Sequence, residues 1–201
     1  MTKIKICGLK RPCDVEAVNE LKPDFAGFVF APGSSRFVTV NEAEELKERL
    51  SADIQAVGVF VQETPENVAA LLNQGVIDIA QLHGREDEKY IAKLRRLTDK
   101  PIIKAFRMES GEDVREAESS EADYVLLDSG NGGSGETFDW SLAEKVKRDY
   151  FLAGGLDAYN VRAAVVKNRP YAVDVSSGVE TDGYKDREKM AAFLAEVRKE
   201  G

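Results

Sequence analysis

The sequence places a thiol at the end of its first predicted strand, residues 3–7 (Lys-Ile-Lys-Ile-Cys). Alternate side chains of a strand face opposite sides, so Lys5 and Cys7 share one face while the isoleucines share the other. Gly8 follows, which lets the backbone turn sharply and leaves room beside the sulfur. A free cysteine is most often a buried structural residue. The strand-end position and the nearby lysine favour instead a thiolate that acts as a base, with Lys5 lowering the pKa of Cys7.

A carboxyl group, Asp128, follows the apolar run 124–127 at the end of another predicted strand. Poor hydration at such a strand end raises the pKa of a carboxyl group and suits it to general acid catalysis. The alternative is a structural carboxylate that caps the next loop, which begins Ser129-Gly130-Asn131. The spacing alone leaves both interpretations open.

Two glycine-rich segments, 152–156 and 175–179, follow the last two predicted strands. Glycines allow close backbone approach, and amide N–H groups in such loops bind phosphate without net positive charge. Either segment alone could be an ordinary tight turn. Together, after the seventh and eighth strands, they predict a phosphate site at Gly154, Gly155, Ser177 and Gly178.

Other polar residues at strand ends give weaker indications. His83 is the only histidine, and without convergent cysteines or carboxylates it favours hydrogen bonding or packing over metal ligation. Arg36 lies in a Gly/Ser loop, either as a solvated surface charge or as a fork for a substrate carboxylate. Asp174 stands at the end of the eighth predicted strand. Two cysteines, Cys7 and Cys13, are too few for a disulfide framework or a zinc site.

The elements that would position these groups alternate strictly between strands and helices. Strands are predicted at 3–7, 25–30, 56–61, 78–82, 101–106, 123–127, 150–153 and 172–175, and helices at 15–21, 41–50, 65–73, 87–97, 112–118, 141–147, 160–167 and 187–199. Asn41 is predicted to cap the second helix. Eight strands alternating with eight helices predict an α/β fold, a (β/α)8 TIM barrel with its site at the carboxyl ends of the strands. The alternative is an open doubly wound sheet, whose opening Gly-x-Gly-x-x-Gly turn is absent.

Length and composition narrow the class of protein. The chain has 201 residues, 43% hydrophobic and 32% charged, which predicts a single soluble domain over residues 1–201. Its net charge of −8 argues against nucleic acid or an anionic membrane as a partner. No segment reads as a signal peptide or a membrane span, so we expect a cytoplasmic protein, as a monomer or homodimer.

These motifs, in this order, resemble those of the phosphoribosylanthranilate isomerase family of tryptophan biosynthesis. The resemblance rests on KICGL (5–9), SR (35–36), QLHG (81–84), LDS (127–129), GGSGETFDW (132–140), AGGL (153–156), NV (160–161), VDVSSGVE (173–180) and GYKD (183–186). It spans nearly the whole chain. Lys10 and Ser134 depart from it, since threonine is expected at both positions, and this affects fine substrate contacts rather than the reaction.

The resemblance implies an aldose–ketose isomerase that catalyses the Amadori rearrangement of N-(5-phosphoribosyl)anthranilate to 1-(2-carboxyphenylamino)-1-deoxyribulose 5-phosphate. No metal or organic cofactor is implied. Asp128 would be the general acid that opens the furanose ring. Cys7 would be the general base that removes the proton from ribose C2′.

The same resemblance implies the binding groups for a phosphorylated small-molecule substrate. Arg36 would hold the anthranilate carboxylate, and Asp174 a substrate hydroxyl or the anthranilate amino group. His83 is counted among the substrate-binding residues. The phosphate would lie on the amides around Gly154, Gly155, Ser177 and Gly178.

Two competing interpretations keep the barrel and change the chemistry. Another sugar-phosphate isomerase on this fold would use two catalytic carboxylates in place of Cys7, whereas a metal-dependent epimerase would need several histidines. A non-catalytic phosphometabolite-binding barrel would bind a ligand without turnover.

Overall fold

The computed structural model describes residues 1–128 and 140–199. Within these ranges eight parallel strands close into a barrel in chain order: β1 (Lys3–Cys7), β2 (Phe25–Val29), β3 (Gln55–Phe60), β4 (Ile79–Leu82), β5 (Ile102–Arg107), β6 (Tyr124–Asp128), β7 (Tyr150–Leu152) and β8 (Ala172–Val175). The ring closes where β1 pairs with β8, with Lys5 opposite Asp174. This confirms the predicted α/β barrel and excludes the open sheet.

Seven α-helices lie in the described part of the chain: α1 (Pro12–Leu21), α2 (Val40–Arg49), α3 (Pro65–Asn73), α4 (Glu88–Arg95), α5 (Gly111–Ser119), α6 (Val161–Asn168) and α7 (Arg187–Arg198). None of the helices described is long and apolar enough to cross a bilayer. The predicted turn at 129–131, the motif residues 132–139 and Ser134 lie outside the described residues.

The cap of α2 differs from the prediction. Thr39, not Asn41, is the N-cap, and its hydroxyl accepts a hydrogen bond from the Glu42 amide. The Glu42 carboxylate in turn accepts from the Thr39 amide at 2.7 Å. A Thr-x-x-Glu pair satisfies two amide donors reciprocally, and therefore the helix begins before Asn41.

The helix predicted at 141–147 is wrong: the segment forms only a short 3-10 helix, Ala143–Lys145. Tertiary hydrogen bonds explain where it stops. The Lys147 amide donates to the Glu118 carboxylate at 2.6 Å, beyond the end of the short helix. The Arg148 guanidinium donates to the Ser120 carbonyl at 2.6 Å. These contacts with the end of α5 draw the chain out of a helical path.

The core has separate layers inside and outside the barrel. Ile4 and Ile6 of β1 belong to the large apolar cluster between the sheet and the helices. The aromatic rings of Phe25 and Phe151 lie in an inner cluster, with centroids 5.3 Å apart. Above it Cys7 packs with Val29 and Val59. The thiol therefore sits on an apolar layer within the barrel.

The chain after β8 forms a small addition to the barrel. A 3-10 helix, Ser177–Val179, leads into an antiparallel hairpin of β9 (Glu180–Thr181) and β10 (Tyr184–Lys185). Glu180 and Lys185 are paired directly across this hairpin. The hairpin brings both side chains to the carboxyl end of the barrel, next to the loop that carries Arg36.

Candidate active site

A cavity of about 220 Å³ lies at the carboxyl ends of the strands. All of the predicted site residues except Gly178 line it: Cys7, Arg36, His83, Asp128, Gly154, Gly155, Asp174 and Ser177. The chain brings these residues together from β1, β2, β4, β6, β7 and β8 or the loops that follow them. Gln81 and Ser176, to which the sequence assigned no role, line the same cavity.

The space beside the Cys7 sulfur comes from a different glycine than the sequence predicted, Gly27 rather than Gly8. Gly27 lies opposite Cys7 in the β1–β2 register, and a Cβ there would come within 2.9 Å of the Cys7 Sγ. Gly8 has φ +86°, and a Cβ there would meet the Arg36 Cδ at 2.5 Å. The room beside the sulfur therefore comes from Gly27, whereas Gly8 leaves room for the arm of Arg36.

Cys7 is 8% exposed, and its surroundings have opposing effects on the pKa of its thiol. Burial raises the pKa of the thiol above its ordinary value, and the charge of Lys5 offsets this only in part. For Lys5 itself burial works to lower the pKa, but attraction to Asp174 and Cys7 raises it above the ordinary value. Lys5 therefore stays charged, and the direction of its effect on Cys7 is the predicted one, although the net pKa of Cys7 is raised.

The buried pair of Lys5 and Asp174 fixes the positive charge within the barrel. The Lys5 Nζ is 2.9 Å from the Asp174 Oδ1, and the Lys5 side chain is fully buried. Asp174 is thus already paired with a cation as well as lining the cavity. It can act on a substrate only while remaining bonded to Lys5 or by exchanging that bond.

Asp128 contacts His83, which is hydrogen-bonded to Gln81 in the same cavity. The His83 Nε2 is 3.3 Å from the Asp128 Oδ2, and the Gln81 Nε2 is 2.9 Å from the His83 Nδ1. If Gln81 donates to Nδ1, the imidazole carries its proton on Nε2 and can donate it to Asp128. The Gln81 Oε1 is buried and has no hydrogen-bond partner among the described residues.

Arg36 is held by a carboxylate that the sequence analysis did not single out. The Arg36 Nε and Nη2 donate to the two carboxylate oxygens of Glu180, each at 2.7 Å. Lys185 also contacts Glu180, with Nζ 2.5 Å from Oε1. Burial works to raise the pKa of Glu180, but these two cations outweigh it and hold the pKa below its ordinary value.

The glycine-rich loops lie together on the side of the cavity formed by β7 and β8. Gly154 and Gly155 have φ values of 86° and 61°, a conformation that glycine adopts without strain. The Asn160 side chain holds this loop by donating to the Gly155 carbonyl at 2.8 Å. Gly178 packs behind the loop, since a Cβ there would come within 2.0 Å of the Leu156 carbonyl oxygen. Close packing of the two loops brings their backbone amides to the same edge of the cavity.

The fold and the cavity together define a (β/α)8-barrel enzyme whose site combines a buried thiol, a carboxyl group and glycine-rich loops after β7 and β8. Residues 4–196 match the family model described as N-(5'-phosphoribosyl)anthranilate (PRA) isomerase. The chain therefore belongs to the N-(5'-phosphoribosyl)anthranilate isomerase family, and it is an isomerase.

Individual relatives agree over their full length. The chain is 47% identical to the N-(5'-phosphoribosyl)anthranilate isomerase of Endomicrobium trichonymphae, with 98% of this chain and 99% of that protein covered. It matches the crystal structure of phosphoribosylanthranilate isomerase from Thermus thermophilus with TM-score 0.90, 35% identity and complete coverage of both chains. A phosphoribosylanthranilate isomerase in complex with reduced 1-(o-carboxyphenylamino)-1-deoxyribulose 5-phosphate matches with TM-score 0.86 and 33% identity, covering 99% and 100%.

Proposed function

We propose that this protein converts N-(5'-phosphoribosyl)anthranilate into 1-(2-carboxyphenylamino)-1-deoxyribulose 5-phosphate, a step of tryptophan biosynthesis, as a single catalytic domain in the cytoplasm. The observation that carries the proposal is the one cavity that Cys7, Asp128, Arg36 and the glycine-rich loop share. A thiol, a carboxyl group, an anion fork and an amide-rich edge are the groups that this substrate requires. The solved relative that binds a reduced form of the product supports the same substrate class.

The first step assigns Asp128 as general acid. A protonated Asp128 would give its proton to the furanose ring oxygen, and the bond from that oxygen to C1′ would break. The nitrogen lone pair forms the C1′=N bond, which leaves an iminium and a free C4′ hydroxyl. The contact with His83 holds the Asp128 carboxyl group in place during this transfer.

The second step assigns Cys7 as general base. Its thiolate would remove the proton from C2′, and the electrons of that C–H bond would neutralise the iminium to give an enolamine. The Cys7 thiol would then give a proton to C1′ while the enol hydroxyl at C2′ loses its proton to the Asp128 carboxylate, which yields the ketone at C2′ and the secondary amine and restores both groups. The raised pKa of Cys7 keeps the thiol protonated at rest. The positive iminium then favours loss of the thiol proton to solvent, because an opposite charge nearby stabilises the thiolate.

Different groups would bind the two ends of the substrate. The phosphate would rest on amides around Gly154, Gly155, Ser177 and Gly178, where it supplies binding energy that orients the sugar. Arg36 would take the anthranilate carboxylate. Asp174 and His83 would contact substrate polar groups near the reacting carbons. We propose a monomer or homodimer, which light scattering on the purified protein would distinguish.

The test is turnover of freshly generated N-(5'-phosphoribosyl)anthranilate, followed by loss of its fluorescence. We expect wild type to be active, and Cys7→Ser and Asp128→Asn each to lower kcat/KM by about 10²- to 10⁴-fold. Cys13→Ser is the matched control, because Cys13 is exposed and lies outside the cavity. Wild type that binds a phosphorylated ligand without turnover would reject the proposal in favour of a binding protein. Full activity in Cys7→Ser would favour an isomerase with carboxylate catalysis.

A further inference from the structure

Arg36 presents only part of its guanidinium to a ligand. A guanidinium has two edges that can each hold a carboxylate with two parallel hydrogen bonds: the side edge of Nε and one Nη, and the end edge of both Nη atoms. Glu180 occupies the side edge through Nε and Nη2. The end edge keeps Nη1, which makes no hydrogen bond to the described residues, and Arg36 is one of the residues that line the cavity.

Lys185 fixes the carboxylate that holds Arg36. Besides its bond to Glu180, the Lys185 Nζ donates to the Ser176 carbonyl at 3.0 Å. Ser176 in turn donates its hydroxyl to the Cys7 carbonyl at 3.1 Å. The Lys185 side chain is 1% exposed and that of Glu180 is 8% exposed. Glu180 is thus held by the buried Lys185 cation. Ser176 links that cation to the backbone of β1, the strand that carries Cys7.

The arm of Arg36 is confined as well. It crosses Gly8, where any Cβ would collide with the Arg36 Cδ. The Arg36 side chain is 19% exposed, so most of it is already desolvated before a ligand arrives. A side chain that is already ordered loses less conformational entropy when it binds.

The charges of the three groups leave a local excess that suits an anion. Arg36 and Lys185 contribute two positive charges and Glu180 one negative charge, so the cluster carries one net positive charge. The protein as a whole carries −8. One net positive charge at this edge of the cavity would balance the one negative charge of a carboxylate.

We propose that Glu180 is a positioning residue that makes the enzyme selective for the carboxylate of its substrate. It acts through Arg36: by occupying the side edge of the guanidinium, Glu180 turns the end edge toward the cavity and holds it there. This inference rests on the proposed function, since it assigns the anthranilate carboxylate to that end edge. Lys185 supports the arrangement by keeping Glu180 in place.

The test compares substrates with and without the carboxylate. N-(5'-phosphoribosyl)anthranilate and N-(5'-phosphoribosyl)aniline are prepared by condensing ribose 5-phosphate with the two amines, and kcat and KM are measured for each. We expect Glu180→Gln to lower the selectivity for the anthranilate by about ten- to a hundred-fold, mainly through KM. Turnover of the aniline compound should change little. Glu20→Gln is the matched control, because Glu20 makes a similar Nε and Nη2 contact with Arg187 on the exposed surface.

A second pair of variants separates positioning from general damage. In an Arg36→Met background, Glu180→Gln should have no further effect on selectivity, because Glu180 acts only through Arg36. Lys185→Met should shift selectivity in the same direction as Glu180→Gln. Thermal unfolding followed by circular dichroism checks that each variant is folded.

The outcomes are distinguishable. An equal loss of kcat/KM on both substrates in folded Glu180→Gln, or an unchanged selectivity, would overturn the positioning role while wild-type turnover upheld the proposed function. A further loss of selectivity when Glu180→Gln is added to Arg36→Met would overturn action through Arg36. Wild type that turns over neither substrate would overturn both the function and the inference built on it.

Discussion

Replacing Lys5 with methionine removes a charge that the barrel cannot lose without cost. The Lys5 Nζ and the Asp174 Oδ1 are 2.9 Å apart, with side-chain exposures of 0% and 9%. At an effective dielectric constant of about 20, two unit charges at that distance attract by about 6 kcal/mol. Desolvation of both groups offsets much of this. Removing one partner leaves the Asp174 carboxylate buried without its cation, which costs about 3–5 kcal/mol.

The assay is denaturant unfolding of four proteins: wild type, Lys5→Met, Asp174→Asn and the double variant. Each single variant should lose about 3–5 kcal/mol of unfolding free energy. The double variant should lose clearly less than the sum, because neither buried charge is left alone. Additive losses, or a loss below about 1 kcal/mol in Lys5→Met, would show that the pair does not stabilise the barrel as inferred.

The same substitution has an electrostatic consequence at the thiol. Lys5 lowers the pKa of Cys7 against the larger effect of burial. Lys5→Met should therefore move the Cys7 titration to higher pH. The rate of thiol alkylation against pH measures this, in a Cys13→Ser background so that only Cys7 reacts. An unmoved titration would refute the electrostatic role of Lys5.

Three further outcomes follow from other contacts. Gly27→Ala places a Cβ 2.9 Å from the Cys7 Sγ, so the sulfur must shift, and kcat/KM in the fluorescence assay should fall about 10²-fold. Lys104→Met removes the buried cation 3.3 Å from Glu86, and denaturant unfolding should show a loss of about 3–5 kcal/mol. The pKa of Glu180 is lower in the folded protein than in the unfolded chain, where it is about 4.3. The stabilisation by ionised Glu180 is therefore complete above a pH of about 4.3 and is lost as the pH falls through the lower folded pKa. The stability difference between wild type and Glu180→Gln should shrink over that acid range.

Each outcome has a control or a result that contradicts it. Gly111→Ala meets open space at the start of a helix and should be neutral or stabilising by up to about 1 kcal/mol. Equal activity in the Gly27 and Gly111 variants would show that Gly27 does not position the thiol. Lys93→Met breaks an exposed ion pair and should leave the denaturant midpoint unchanged. Equal losses of unfolding free energy in the Lys93 and Lys104 variants would contradict the importance of burial. A stability difference between wild type and Glu180→Gln that does not change with pH would contradict the lowered pKa of Glu180.

The strands were predictable because burial on both faces leaves a clear sequence pattern. In β2, β4, β7 and β8 every residue is buried, and each strand is a short, mostly apolar run that a turn signal ends, with Gln81 in β4 and Asp174 in β8 as the polar exceptions. The Glu- and Ser-rich α5 also forms where it was predicted, since Ser110 caps it. The helix predicted at 141–147 fails because its end depends on Glu118, a contact that its own residues do not encode.

The candidate site likewise contains residues that the sequence pattern reveals and contacts that it does not. Strand ends and glycines mark Cys7, Asp128 and the glycine-rich loops that line the cavity, so local pattern reveals them. The partner of Arg36 lies 144 positions away in the chain, and no spacing rule connects the two. The buried pair of Lys104 and Glu86 is hidden for another reason, because charged residues near strand ends are normally read as solvated.

The closure of β1 on β8 also sets an order of events during synthesis. Cys7 is made well before some of the groups that surround it, from Asp174 to Lys185. At ribosomal rates of about 5–20 residues per second, roughly 10 to 35 s separate the thiol from its completed surroundings. Until then the thiol lacks the cover of β8, Ser176 and Lys185, although Val29, Val59 and Lys5 have already been made. We therefore expect β8 to shield Cys7 as well as to complete the ring.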